Sequence, residues 1–258
     1  MFVEERRERI LQKIYKEKTV SVQQLAEALQ TSVHTIRNDL TYLEEQNHLT
    51  RTHGGAVLNE RSRLNVMKTS VRYDQADQYQ HAIAKRAADL IKPGMTVYIG
   101  GSVTHYLMLQ YIKQDMKCTI VTNSLQVALD LSTNESIECY IIGGHVPYSS
   151  NTVGSMAVKL MEQFHVDLAF INNGFHLEQG MTTSNPEVAA FQSAVIQNAK
   201  KIVGLGNHYK VDIVTFASIA SLQVVDLLIL DEKVSEEVRV GLEQAKVDYV
   251  VATGDELA

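Results

Sequence analysis

Three amphipathic stripes follow one another within the first fifty residues. Ile10, Leu11, Ile14 and Tyr15 make the first. Val22, Leu25, Ala26 and Leu29 recur at i, i+3, i+4 and i+7 in the second, and Val33, Ile36, Leu40 and Leu43 do so in the third. Ser21 and Ser32 each stand directly before one of these stripes, where a side-chain oxygen can satisfy the first free backbone N–H groups of a helix. Gln30 and Thr31 alone separate the second stripe from the third cap, so those two helices must turn sharply onto one another, which is helix-turn-helix geometry. After Asn47 the pattern changes. Residues 48–53, HLTRTH, can run extended, Gly54-Gly55 permits a tight turn, and Ala56-Val57-Leu58 can return. A two-stranded ribbon behind a helix-turn-helix is a wing.

Residues 59–75, NERSRLNVMKTSVRYDQ, are polar with little periodicity. They are expected to be a linker between a winged helix-turn-helix domain at 1–58 and a larger domain at 76–258. A helical stripe returns over 76–91, with Ala82, Ile83, Ala87, Leu90 and Ile91 inward, and Lys92-Pro93-Gly94 ends it. Beyond that point short apolar runs recur at 95–99, 118–122, 138–142, 167–171, 201–205, 226–230 and 248–251. Helical segments are expected between them near 103–113, 124–131, 153–164, 186–199 and 234–246. This predicts an α/β fold whose sheet is mostly parallel and covered on both faces.

The residues at the end of each run point to function. Gly100-Gly101-Ser102 succeeds the first run, Asn123-Ser124 the second, Gly143-Gly144-His145 the third, Asn172-Asn173-Gly174 the fourth, Gly206-Asn207-His208 the fifth and Asp231 the sixth. Small polar residues at the carboxyl ends of parallel strands are where such sheets hold ligands. Gly101, Ser102 and Thr104 lead into a helix start, whose free N–H groups suit an anion. Any one such loop is equally well a plain strand-to-helix turn; several on one edge favour a pocket.

Charge sharpens the division of labour. The chain carries −6 overall, but residues 1–72 hold 12 Lys and Arg against 9 Asp and Glu, a net +3, which leaves −9 for the remainder. An acidic body with a mildly basic head suits a protein that meets DNA through its N-terminal end. With the third stripe packed inward, the outer face near that helix start carries Ser32, His34, Thr35, Arg37 and Asn38. Arg37 can bond a guanine bidentately and Asn38 an adenine, whereas Ser32 and Thr35 suit phosphate oxygens. Arg51 and His53 on the wing can reach the backbone or the minor groove. The alternative is a small interaction module whose Arg37 and Asn38 are a solvated face. No apolar run approaches the roughly 20 residues that span a bilayer, and the charged opening MFVEERRERI is unlike a secretory leader, so a cytoplasmic location without membrane contact is expected. Cys118 and Cys139 are read as buried thiols.

Motifs extend this reading. The stretch from Arg6 to Leu58 contains VxxLAxxL, then SxxTIRxDLxxLE, then HGGA, and it resembles the N-terminal domain of the DeoR family of bacterial repressors. Residues from about 80 to 251 resemble the sensor domain of that family, which shares its fold with ribose-5-phosphate isomerase. The matching positions are the loop Ile99–Thr104, TNS at 122–124, IGG at 142–144, Gly180 with Thr182-Thr183 and Glu187, and Asn207-His208-Tyr209-Lys210. The resemblance is nearest in character to the lactose phosphotransferase repressors. It implies operator DNA, a sugar or sugar-phosphate effector and a homo-oligomer as partners. It implies effector contacts from Gly100, Gly101, Ser102, Thr104, Asn123, Ser124, Gly143, Gly144, Asn173, Glu187 and Lys210, with no cofactor. This chain departs from the family pattern where Asn38 replaces an arginine, where the first loop lacks its acid and one threonine, where Asn207 replaces an aspartate, and where Phe191 replaces a lysine. The expected pocket is therefore less charged than is usual.

Two other functions compete. Sugar isomerisation needs a carboxylate base and a cation, roles open to Glu187 and Lys210, yet Asn207 cannot ionise, and a regulator rather than an enzyme is expected. His105, His145, His176 and His208 could hold a metal, but they lack a tight ligand pair; hydrogen bonding to sugar hydroxyls or water is the simpler role.

Overall fold

The structure, a computed structural model, describes residues 3–17, 19–45, 49–58, 76–147 and 150–254. They fall into two compact units, one within residues 1–66 and one within 67–258. The expected linker, 59–75, lies outside the described residues.

The first unit holds α1 (Val3–Glu17), β1 (Thr19–Ser21), α2 (Val22–Ala28), α3 (Val33–Glu45), β2 (Leu49–Thr52) and β3 (Gly55–Leu58). Ile10, Ile14, Val22, Leu25, Ala26, Ile36, Leu40 and Leu43 are buried together, as the stripes require. Val33 is a correction: it is 38% exposed, because the start of α3 projects past the core. Ser21 caps α2 by accepting from Gln24 N, and Ser32 caps α3 by accepting from Thr35 N at 3.0 Å. Between them Gln30 sits at φ +48, with Thr31 N bonded back to Ala26 O. A left-handed non-glycine residue is strained. Gln30→Gly is therefore expected to stabilise the unit by about 1 kcal/mol, read by urea unfolding; a destabilised variant would contradict the strain.

The wing has three strands rather than the expected two. The sheet runs β1-β3-β2, with β1 antiparallel to β3. This also revises the role of the glycine pair. Gly55 lies in β3 against β1, where a Cβ would stand 1.8 Å from Val20 O, so it is needed for strand contact rather than for the turn.

The second unit opens with α4 (Gln78–Ala88), capped by Asp77 in a capping box with Gln80. Its seven-stranded sheet is parallel throughout, in the order β13 (Tyr249–Ala252), β12 (Leu227–Asp231), β10 (Ile202–Gly206), β7 (Leu168–Ile171), β4 (Thr96–Tyr98), β5 (Cys118–Thr122) and β6 (Ile137–Ile141). All seven apolar runs are strands. Successive side chains point to opposite faces, and two cores result. Val97, Ile99, Phe170, Val203, Leu205 and Ile229 pack on one face with Ile83 and Leu107; Tyr98, Ala169, Ile171, Leu228 and Leu230 pack on the other with Phe175 and Phe191. The covering helices are α4, α5 (Val103–Tyr111), α6 (Leu125–Leu131), α7 (Ser155–Met161), α8 (Pro186–Gln197) and α9 (Glu236–Gln244). A small antiparallel sheet, β11 (Ala217–Ala220)–β9 (Gly180–Thr183)–β8 (Gly174–His176), is not expected from the sequence.

Candidate DNA-binding face and strand-end site

The first site is the outer face of α3. His34, Arg37 and Asn38 are exposed there, and Asn38 Nδ2 lies 3.4 Å from His34 Nε2. Ser32 and Thr35 have their hydroxyls 2.8 Å apart, so the cap occupies both, and the helix N–H groups remain the better phosphate donors. Arg51 does not reach outward freely. Its N–H donates to Glu44 Oε1 at 2.7 Å and its Nη1 to Thr41 Oγ1 at 2.8 Å, which ties the wing to α3. His53 is exposed beside Gly54 at the wing turn.

Asp39 is the important residue that sequence reasoning missed on this helix. It is 2% exposed and accepts from Arg6 Nε at 2.6 Å and Arg7 Nε at 2.9 Å. Arg7 also lies 3.7 Å above the Tyr42 ring. The aspartate of the TIRxDL motif thus pins α1 to the recognition helix from behind. Arg37 and Asn38 face solvent on a helix whose opposite side is clamped by charge and by Ile36 and Leu40.

The second site lies at the carboxyl ends of the parallel strands, where β4, β5, β6, β7 and β10 deliver their loops. Ser102 caps α5 by accepting from His105 N at 3.1 Å. Thr104 is buried, and its Oγ1 has no hydrogen-bond partner among the described residues. Gly100 and Gly101 permit close packing: a Cβ on Gly100 would stand 3.0 Å from His105 Nδ1 and from the Tyr98 hydroxyl, and one on Gly101 would stand 1.8 Å from Asn151 Oδ1. Asn151 comes from the stretch joining β6 to α7, which folds back over the strand ends. There His145 bridges Val153, Ser124 bridges Asn151, and Thr152 N donates to Asn123 O at 2.7 Å. Asn151 Oδ1 is itself buried without a partner among the described residues. Local sequence gives no sign of it, since Gly101, its neighbour in space, lies about 50 residues away along the chain.

Asn123 and Ser124 are committed to the fold. The Asn123 carboxamide accepts from the Tyr98 hydroxyl at 2.9 Å and donates to Thr152 O at 2.8 Å, and Ser124 caps α6. Burial pushes the Tyr98 phenol up, against a smaller lowering by Gln192, so it remains a neutral donor. Its ring meets Phe191, 6.1 Å between centroids, and this apolar floor stands where a charged residue is missing from the motif. Gly143 is exposed, with nothing near its absent Cβ, whereas Gly144 lies against Val153 O. Glu187 is exposed in the first turn of α8, 3.9 Å from His145 Nδ1. An open groove of about 510 Å³ between α7 and α8 adjoins it, lined by Gly154, Lys159, Glu162 and Pro186 among others.

At the β7 and β10 ends, Lys210 Nζ donates to Asn172 Oδ1, while Asn172 Nδ2 donates to Leu205 O at 2.8 Å. Among the described residues Asn173 Oδ1 and both side-chain polar atoms of Asn207 are buried without a partner, and Asn207 is wholly inaccessible. Thr104, Asn151, Asn173 and Asn207 therefore bring unsatisfied polar atoms to one end of one sheet. Such atoms normally find a partner in water or a ligand. The matched Gly180 and Thr182 lie elsewhere, in the small sheet, where Thr182 Oγ1 accepts from Thr215 N at 3.0 Å. His176 also sits there, its Nδ1 accepting from Glu178 N and Gln179 N. His208 turns to Asp231, with Nδ1 3.0 Å from Oδ2. Among the described residues no three His, Cys, Asp or Glu side chains gather as a metal group, and no helix is long and apolar enough to cross a membrane.

A winged helix-turn-helix joined to a parallel α/β unit with a polar strand-end site defines a two-part regulator. Family models match both parts, a DeoR-like helix-turn-helix domain at residues 6–62 and a DeoR C-terminal sensor domain at 75–232. The chain belongs to the DeoR family of helix-turn-helix transcriptional regulators. It is 32% identical to the transcriptional regulator GolR of Listeria innocua, over 92% of this chain and 93% of that one. It is 32% identical to the transcriptional repressor GlcR of Bacillus subtilis, over 99% of each. It is 30% identical to the lactose phosphotransferase system repressor of Streptococcus mutans, over 88% of this chain and 92% of that one. Ribose 5-phosphate isomerase A of Neisseria gonorrhoeae aligns with 52% of each chain at 12% identity, with a TM-score of 0.38.

Proposed function

We propose that the protein represses genes of carbohydrate metabolism by binding operator DNA through α3 and the wing, and that a sugar or sugar phosphate at the strand-end site releases or strengthens that grip. The observation that carries the reading is the gathering of unpartnered buried polar atoms of Thr104, Asn151, Asn173 and Asn207 at the sheet end that also holds Lys210. Neutral amides and hydroxyls suit sugar hydroxyls, and Lys210 suits an anionic group. The α5 start at Ser102 adds backbone N–H groups for that anion. The repressor names of the relatives support the same reading. Two copies present paired recognition helices to repeated half-sites, as symmetric operators require.

Arg37 and Asn38 read bases; the free N–H groups at the α3 start, with His34 and His53, set position on the backbone, while Ser32, Thr35 and Arg51 hold the helix start and the wing in place. Arg37→Ala should weaken operator binding by about 1–3 kcal/mol and relax preference at one base pair. Gel-shift titration against a panel of single-base operator variants measures this, and an unchanged pattern would remove Arg37 from base readout. The parent test is preference for the promoter region of its own gene over random duplex at moderate salt, with and without glucose 6-phosphate, galactose 6-phosphate, fructose 1-phosphate or ribose 5-phosphate. Equal affinity under every condition refutes the proposal. Gly101→Ala should displace the Asn151 carboxamide with little cost to folding, because only a side-chain tip must move. It is expected to lower sugar-phosphate affinity roughly tenfold, the loss of about one hydrogen bond, as read by calorimetry. Unchanged affinity would take Asn151 out of the site.

A further inference from the structure

The turn that carries Lys210 has a second side. Residues 207–210 close on themselves, with Lys210 N and Val211 N both donating to Asn207 O, at 2.7 and 3.1 Å. Lys210 leaves this turn towards Asn172. His208 leaves it towards Asp231, a fully buried carboxylate that accepts from His208 N at 2.7 Å and lies 3.0 Å from His208 Nδ1. The other oxygen of Asp231 accepts from Lys233 N at 2.9 Å. Above them stands Tyr79, in the first turn of α4. The His208 ring meets it edge-on at 5.6 Å, and Lys233 Nζ lies 4.5 Å from its ring centroid. His208 also meets Tyr209 edge-on at 5.1 Å. α4 is the first helix after residues 59–75, through which the chain arrives from the DNA-binding unit.

We propose that Tyr79, His208 and Asp231 are positioning residues that couple the Lys210 turn to the start of α4, and so transmit the state of the effector site to the chain leading to the DNA-binding unit. The inference rests on the strand-end site being the effector site. Its physical basis is that one four-residue turn holds both contacts. A ligand anion that draws Lys210 from Asn172 releases the turn that His208 anchors from its tie to β7, and α4 is packed on that anchor by an aromatic edge and a cation. An effector shifts an equilibrium only through contacts that differ between two states, and this turn is where such a difference would reach α4. Asp231 fixes the far side of the turn, so displacement is passed to Tyr79 and not dissipated.

The test uses the full chain and two variants, Tyr79→Leu, which keeps apolar bulk, and His208→Gln. Operator affinity is measured with and without the same four sugar phosphates, and binding of each is measured directly by calorimetry. Both variants are expected to bind operator alone, and the active sugar phosphate, within threefold of the parent. The change in operator affinity produced by that sugar phosphate should shrink at least fivefold. A response of parental size in both variants overturns the proposal, and so does loss of sugar-phosphate binding itself, which would place these residues in the site. If none of the four compounds binds the parent, the effector reading fails for them, and a ligand-free measurement decides the coupling. Hydrogen exchange at the amides of residues 80–84 should then quicken at least fivefold in both His208→Gln and Lys210→Ala, with α9 unaltered. Unchanged exchange at α4 overturns it.

Discussion

Asp39→Ala is expected to cost the DNA-binding unit about 2–3 kcal/mol. The carboxylate is 2% exposed and holds two guanidinium groups, Arg6 and Arg7, which are 12% and 26% exposed. Removing it takes from both cations, packed against the back of α3, the carboxylate that they share. Their partial access to water keeps the penalty below the about 3–5 kcal/mol of a fully buried broken pair. A unit of this size has about 3–9 kcal/mol in total, at about 0.05–0.15 per residue, so the loss takes a large share of it. The melting transition of this unit should fall by about 10–20 °C. Circular dichroism on the full chain, with the second unit's transition as internal reference, checks it. Asp39→Asn retains hydrogen-bonding capacity and should fall between parent and Ala variant. If Asp39→Ala melts as the parent does, the ion pairs contribute nothing and the clamp on α3 is apolar alone.

This residue marks where the sequence can be read and where it cannot. Its motif is visible, and so is the helix that carries it. Its partners are not, because Arg6 and Arg7 lie 33 and 32 residues away and nothing in α1 distinguishes them from surface arginines. The same division holds throughout. The seven parallel strands are legible because strands covered on both faces are apolar runs, as in CTIVT and DLAFI, and the two less buried edge strands, β6 and β13, keep enough apolar residues to be read. β8, β9 and β11 are not, being three or four residues of Gly, Ala, Ser, Thr and His with a single large apolar side chain each. Gly55 reads as a turn glycine because its true constraint, the carbonyl of Val20, belongs to β1, a strand too short to announce itself.

The strand-end site shows the same limit in finer detail. Which loops lie at one edge can be deduced by counting strands. What each side chain does there cannot, since it depends on partners contributed by other loops. Asn123 and Asn207 are the same residue type at corresponding positions after β5 and β10. One has its carboxamide consumed by Tyr98 and Thr152, and the other has both polar atoms unmet. Asn151 has no strand end to flag it at all. Substitution within a motif is more readable. With Phe191 buried against Tyr98 and Asn207 uncharged, the floor of the site is neutral, and on the proposed reading recognition of charge falls to Lys210.

That role sets the second large effect. Lys210→Ala should weaken binding of a sugar phosphate by about 2–3 kcal/mol, roughly 30- to 150-fold, the loss of one charge-assisted hydrogen bond in a partly dry site. The fold should tolerate the change. Asn172 keeps its bond to Leu205 O, and the backbone bonds of the 207–210 turn do not involve the lysine side chain. Operator affinity without effector is therefore expected to stay within threefold of the parent, while the response to the sugar phosphate disappears. An uncharged sugar supplies the control that separates charge from shape. If the natural effector is unphosphorylated, Lys210→Ala will cost far less than about tenfold and Lys210→Met no more, since only a neutral hydrogen bond is lost. If operator binding and effector response vanish together, Lys210 is holding the β7 and β10 ends in place, and the anion must be sought at the Ser102 end of the site instead.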